Sequence, residues 1–414
     1  MRSHCAIGLG AVLAASAAGG CDRAPPRPEE IPETTVSAAA DVPAPARAEA
    51  LPAPVAEHQQ DTVRAQWSVS PSPVLVVGRG DGPGQDLLGV IGAVRLGDGT
   101  LVVADNGSRE LRFFDGAGRL RSRSGGEGSG PGEFRTLQAL IRLPGDSLAA
   151  YDMGLRRLSI FAPDGRFIRS APVQGDAGAP LPVAGFGDGT LLVRESGTYS
   201  PGSTTAGLRR DSIGFARYDT RGNRLAALGR FPGSEIYVDA RDGRFSVTVV
   251  PFARATVATA GGEQFFVATN ERREVRGFTA AGGRAVVARE AEPLLRVTEQ
   301  DLAAAVQRLA GNGGAGQRTV EQRLANVPRS RTHPAYRRLN LDPLGYLWAT
   351  LAQRPGARNG RWSVFDAAGT RVQQITGPAI TPLEVGRDYV VGLQTTDDGV
   401  EEVVVHSITR PDPR

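Results

Sequence analysis

The sequence predicts an all-β protein, a six-bladed β-propeller of four-stranded antiparallel blades, and three observations lead there. An apolar strand ending in an aromatic residue recurs along the chain, with glycine four residues later and arginine just beyond. Its five instances are Phe114 with Gly118 and Arg119, Phe161 with Gly165 and Arg166, Tyr218 with Gly222 and Arg224, Phe278 with Gly282 and Arg284, and Phe365 with Gly369 and Arg371. Before most of these strands stands a tight hairpin turn: Gly97-Asp-Gly-Thr100, Pro144-Gly-Asp-Ser147, Gly187-Asp-Gly-Thr190 and Gly261-Gly-Glu263. From Leu101 to Phe114, Leu148 to Phe161 and Phe265 to Phe278 the spacing is 13 residues in each case, so three units share one register. Short strands and turns repeating at a fixed period are the signature of propeller blades.

The amino end sets the compartment. Arg2 opens a short charged start, Ala6 to Ala18 form a weakly apolar run, and Ala18-Gly-Gly-Cys21 places small residues directly before a cysteine. This resembles a bacterial lipobox. Residues 1–20 are then a lipoprotein signal peptide, Cys21 is the lipidated first residue of the mature chain, and the location is the bacterial cell envelope, facing the periplasm or the cell surface. Ordinary cleavage after Ala17 is the alternative and would leave Cys21 free. Cys5 falls within the signal, so with Cys21 lipidated no thiol, disulfide or cysteine metal site remains. Residues 21–66, dominated by Ala, Pro, Glu and Val, bury too little apolar surface to fold and are expected to form a disordered tether.

Trp67 begins the folded part, expected to run over residues 67–410. The turn glycines at 118, 165, 222, 282 and 369 join third and fourth strands, where a left-handed backbone is needed. The last unit, Tyr389 to Leu393 with Val403 to Ile408, runs out before an outer strand. Val74 to Gly78 supplies one, because Gly80-Asp-Gly-Pro-Gly84 matches the connector ending at Gly132, 48 residues on. The amino-terminal strand therefore closes the ring and removes its open edges.

At this point the residues resemble a known repeat. Gly130-Pro-Gly-Glu-Phe134, opening a unit, and the run from Val102 through Asp105-Asn106 to Phe114-Asp115 are similar to the NHL repeat of six-bladed propellers. The first two units match well and the others mainly in their turns. Met153 stands where the repeat has asparagine, which assigns these positions to the scaffold. Asp105 with Arg109, and Asp152 with Arg156, are expected to form repeated structural salt links.

Length variation falls on one face, in loops between second and third strands and between blades, which is where a propeller's recognition surface is built. The largest insertion, residues 292–334 between blades four and five, contains two helical patterns. Thr298 with Asp301 opens the first, which stops at Gly311; Thr319 with Gln322 opens the second, ended by Pro328. Either they cover the central mouth or they are a passive packing arm.

The same loops carry the candidate ligand-binding residues: Arg194, Arg209, Arg210, Arg272, Arg273, Arg354, Arg358 and Arg361, with Trp362 as a stacking surface. Planar guanidinium groups suit carboxylates and phosphates, so the expected partner is an envelope protein or an anionic polysaccharide or metabolite. All 48 basic residues are arginine against 44 acidic ones, a net charge of +4 that marks no nucleic-acid partner. No cofactor is expected. Related propellers act as metal-dependent lactonases or lyases, and that is the alternative function. Four histidines, of which His333 and His406 lie in the folded part, supply no three-histidine centre; calcium on Glu195, Asn106, Asn270 or Asn359 is left open.

Overall fold

The recurring glycines sit where the backbone demands them. In the computed structural model, which describes residues 66–175, 180–195, 206–241, 244–310, 314–396 and 398–410, Gly118, Gly165, Gly222, Gly282 and Gly369 have φ of 77°, 88°, 81°, 91° and 81°. An L side chain is strained in that region. A second device stands directly after the aromatic residue in three of these turns. The carboxylates of Asp115, Asp219 and Asp366 each accept two N–H groups of their own turn at 2.8 to 3.0 Å. Led by the Arg119 N–H, such bonds pull the Asp115 carboxyl down from 3.8 to about 2.

These turns join strands into antiparallel sheets of four. The first sheet runs Val90–Arg95, Leu101–Asp105, Glu110–Phe114 and Leu120–Gly125 in spatial as in chain order. Sheets two to five begin with Leu137–Arg142, Leu181–Gly185, Val257–Gly261 and Tyr336–Leu341 and follow the same plan. The sixth contains Thr381–Val385, Tyr389–Thr395 and Glu401–Thr409. Its outer position is filled from the other end of the chain, in two pieces: Leu75–Val77 pairs with Val403–Val405, and Ser68–Val69 with Ile408–Thr409. The His406 ring bridges the gap, its Nδ1 2.8 Å from the Ser70 carbonyl oxygen.

First strands of consecutive sheets lie side by side in chain order, and that of the sixth lies beside that of the first. Apolar clusters fill the spaces between sheets. One joins Val102 and Phe113 of the first sheet to Phe134 and Phe161 of the second; another joins Val391 and Val405 of the sixth to Val103 and Phe114 of the first. The architecture is all-β and of the propeller kind.

Several expectations need correction. Asp105 does not pair with Arg109: its carboxylate meets Arg112 Nη2 at 3.3 Å and accepts the Gly107 N–H at 2.8 Å. Arg109 and Arg156 stand at φ 59° and 49° in tight loops, and Asp152 accepts backbone N–H groups of Arg135, Thr136 and Leu155 instead. Trp362 is 1% exposed, in the core between the fifth and sixth sheets, so it offers no stacking surface. Between the third and fourth sheets, where a plain loop was expected, Ile236–Arg241 and Arg244–Val249 form with Gly207–Arg209 a separate three-stranded sheet.

The two helices of the insertion, α1 (Glu299–Ala310) and α2 (Gly314–Leu324), are present. Thr298 and Asp301 cap α1 reciprocally, N–H to carboxylate at 2.9 Å and N–H to hydroxyl at 3.3 Å. The second helix starts upstream of Thr319, which lies inside it, because a Thr-x-x-Gln pattern is also compatible with a helix interior. No helix among the described residues is long and apolar enough to cross a membrane. The signal peptide, Cys21 and all of the tether before Gln66 lie outside the described residues.

Candidate functional site

Because each first strand is an edge strand of its sheet, its outer side is left to line whatever space the strands enclose. That space is a cavity of about 420 Å³, bordered by Ile91–Val94, Gln138–Arg142, Leu181–Gly185, Thr256–Ala260, Arg337–Leu341 and Leu383–Val385, with Arg194 and Phe215 reaching in from the third sheet. Every one of the six sheets contributes to its wall.

The wall is polarised along its length. Strand ends leading into the short first hairpins carry a closed ionic set. Glu384 accepts the Arg95 N–H at 2.7 Å and the Tyr389 hydroxyl at 3.2 Å, and lies 3.5 Å from Arg142 Nη1. Arg142 also donates to Asp146 at 2.6 Å and to the Arg95 carbonyl at 3.0 Å. Burial raises the Glu384 carboxyl above its ordinary pKa, against the opposing pull of the Arg95 N–H and Arg142. No charge in this set lacks a partner.

Toward the other end stand Arg194, Arg337 and Arg338. All three line the cavity, and among the described residues no hydrogen bond or ion pair reaches any of their guanidinium groups. Arg194 and Arg338 are half-buried and Arg337 more open. Burial pushes each guanidinium below its ordinary pKa, and at Arg337 the charge of Arg308 on α1 adds to the effect. Positive charge left without a partner on a cavity wall attracts an anion. An anion held by a guanidinium accepts charge-assisted, commonly bidentate, hydrogen bonds.

The loop arginines behave differently. Arg209 pairs with Asp211 at 3.0 Å and Arg210 with Glu271 at 2.9 Å. Arg273 faces buried Glu290 at 3.8 Å. Arg354 is held by the Asp301 carboxylate, which also lies 3.3 Å from His333 Nε2, so this set pins α1 to the sheets. Arg272, Arg358 and Arg361 are exposed. Arg358 borders a larger cleft, about 780 Å³, beside Asn359, Thr376 and Gln394. That cleft holds one guanidinium without a partner among the described residues, and the smaller cavity holds three.

Of the candidates, then, only Arg194 reaches the cavity. Sequence reasoning missed Arg337 and Arg338. A signal existed: Tyr336-Arg-Arg-Leu-Asn-Leu341 is a first strand with two charges in mid-strand, where Val90-Ile-Gly-Ala-Val-Arg95 has its only charge at the end. Two of the residues left open for calcium are engaged within the fold. Glu195 is held by Arg224 and Tyr218, and Asn270 is buried, bonded to Ala255 and Tyr336 backbone groups. Among the described residues no three His, Cys, Asp or Glu side chains are placed to hold a metal ion.

Comparison with known proteins adds little. No protein-family model and no curated protein matches this chain. Among solved structures it is similar to a protein of Bacteroides fragilis described as exported, with 14% identity and a TM-score of 0.48 over 84% of this chain and 96% of that one. Virginiamycin B lyase from Staphylococcus aureus shares 10% identity and a TM-score of 0.40, over 84% and 100%. A gluconolactonase from Xanthomonas campestris shares 12% identity and a TM-score of 0.36, over 74% and 82%. At such identities and scores no property passes from these proteins to this chain.

Proposed function

We propose that this chain is a six-bladed, ring-closed propeller of NHL-like type, lipid-anchored in the bacterial cell envelope, that binds a small anionic ligand in its axial cavity. The observation that supports the binding is the trio Arg194, Arg337 and Arg338, unpartnered in one cavity. Closure of the ring is supported by the pairing of Leu75–Val77 with the last strand and by the apolar cluster between sixth and first sheets. An acidic protein patch is the weaker partner, because the loop arginines that would meet it are mostly engaged within the fold. No observation favours a metal-dependent lactonase or lyase.

Binding is tested by calorimetry and thermal unfolding with citrate and inorganic phosphate at low ionic strength. A ligand at a hundredfold over its dissociation constant stabilises by about 2.7 kcal/mol, so the wild type is expected to melt higher. The double variant Arg337→Gln, Arg338→Gln should bind more weakly by about a hundredfold or more, each lost charged contact costing about 1.5–3 kcal/mol and every 1.4 kcal/mol being about tenfold. Without ligand it should melt no lower than wild type, since burial disfavours the charge at both positions. Unchanged affinity in that variant, or no anion effect on the wild type, refutes the function.

The anchor rests on Ala18-Gly-Gly-Cys21. Expressed with its signal in a bacterial host, the chain should fractionate with membranes and the Cys21→Ala variant should not. Equal partition of the two would remove the anchor.

A further inference from the structure

The cavity offers more than charge. Its wall consists of edge strands, so N–H and C=O groups on the inner side of each first strand are left without a sheet partner. Two side-chain amides stand among them. Asn340 Oδ1 is buried with no hydrogen-bond partner, while its Nδ2 donates weakly to the Leu383 carbonyl at 3.4 Å. Gln138, half-buried, has no hydrogen-bond partner among the described residues. Both border the same cavity as Arg194, Arg337 and Arg338.

A buried acceptor without a donor is costly. A plain carboxylate bound by the arginines would leave Asn340 Oδ1 as it is, because a carboxylate brings no donor. A hydroxyl group brings one, and can accept from an amide or a strand N–H as well. Asn340 is the fifth residue of its strand, Arg337 the second and Arg338 the third, separations of roughly 10 and 7 Å at about 3.3 Å per residue. A ligand satisfying both ends is therefore longer than a single acid group. At about 420 Å³ the cavity lies within the range of small-molecule sites.

We propose that the cavity takes a polyhydroxylated acid, a sugar carboxylate or sugar phosphate, with its anionic group at Arg194, Arg337 and Arg338 and its hydroxyls on Gln138, Asn340 and the open strand edges. This rests on the anion-binding function above. The acid stays at the built-up end, and the hydroxylated body extends toward the closed set around Glu384.

Calorimetry with four probes tests it: glucuronate, glucose 6-phosphate, cyclohexanecarboxylate and glucose. At least one sugar acid should bind about tenfold or more tightly than cyclohexanecarboxylate, and glucose should not bind measurably. In the Asn340→Leu and Gln138→Leu variants that margin should shrink while affinity for cyclohexanecarboxylate holds, a split that general damage to the fold would not produce. Equal binding of glucuronate, glucose 6-phosphate and cyclohexanecarboxylate overturns the hydroxyl half and leaves the anion site standing. Failure of every acid to bind overturns both. The relative strength of the two sugar acids separates a carboxylate ligand from a phosphate one.

Discussion

Deleting residues 68–77 from the full chain is expected to leave a protein that aggregates, or that melts roughly 10 °C or more below wild type with a broader transition. Those residues fill the outer position of the sixth sheet, pairing along Glu401–Thr409. Val77 is fully buried and Val69 nearly so, and Leu75 packs against the cluster of Val391, Val403 and Val405 that also contains Phe114 of the first sheet. Each such side chain stabilises by about 1.5–3 kcal/mol when buried, so three of them with their ladder bonds approach the roughly 5–15 kcal/mol that separates folded from unfolded domains. The deletion would also bare a nine-residue edge rich in valine, a template for association with other chains. Near-ultraviolet circular dichroism and light scattering during heating measure both effects. A deletion variant that stays monomeric and melts within a few degrees of wild type would mean that the amino-terminal strands decorate the sheet and do not complete it. The milder variant Val77→Asp keeps the chain length and should fail in the same direction.

The pairing of the amino-terminal strands with the last strand was legible before any coordinates because it is written in a repeat. The run ending at Gly84 matches the connector ending at Gly132, and only an outer strand precedes such a connector. Turn positions were legible for a related reason: a left-handed backbone selects glycine locally, so Gly118 or Gly369 betrays its φ without its neighbours. What the sequence hides is pairing across distance. Arg210 and Glu271 stand 61 positions apart and Arg354 and Asp301 53 apart, so loop arginines that looked available were already engaged. Side-chain direction is equally hidden. Trp362 and the arginine before it stand side by side in one strand, and pleating sends one into the core and the other to solvent. Arg337 and Arg338 escaped notice because they follow the helical insertion directly and read as its end. Only the assembled sheets show that this strand lines a cavity shared with the other first strands, where two charges mean something they would not mean on a rim.

A single buried arginine gives the sharpest test of the packing between sheet and connector. Arg112, 2% exposed, lies 3.3 Å from Asp105, 2.8 Å from Asp86 and 3.2 Å from Glu110, and donates to the Gly84 and Asp86 carbonyls at 3.0 and 3.1 Å. One guanidinium thus ties the second and third strands of the first sheet to the connector that enters it. Replacement by methionine keeps much of the volume but strands a fully buried carboxylate and two carbonyl oxygens, and breaking such a set costs about 3–5 kcal/mol. The pH dependence distinguishes this cause from mere loss of packing. Burial already raises the Asp105 carboxyl above its unfolded value of 3.8, and Arg112 is the first influence that pulls it back. Without Arg112 the folded-state pKa rises further, so the folded state binds the proton more tightly than the unfolded one. A carboxyl shifted upward is destabilising where it must ionise, and its deficit shrinks as pH falls through the raised folded value toward 3.8. Arg112→Met should therefore lose more stability at pH 8 than at pH 5, measured by denaturant unfolding against wild type at both. Adding Asp105→Asn should restore part of the loss and abolish the excess deficit at pH 8. A deficit equal at the two pH values, or a double variant no better than the single, would assign the effect to lost packing and leave the buried pair without the role given to it here.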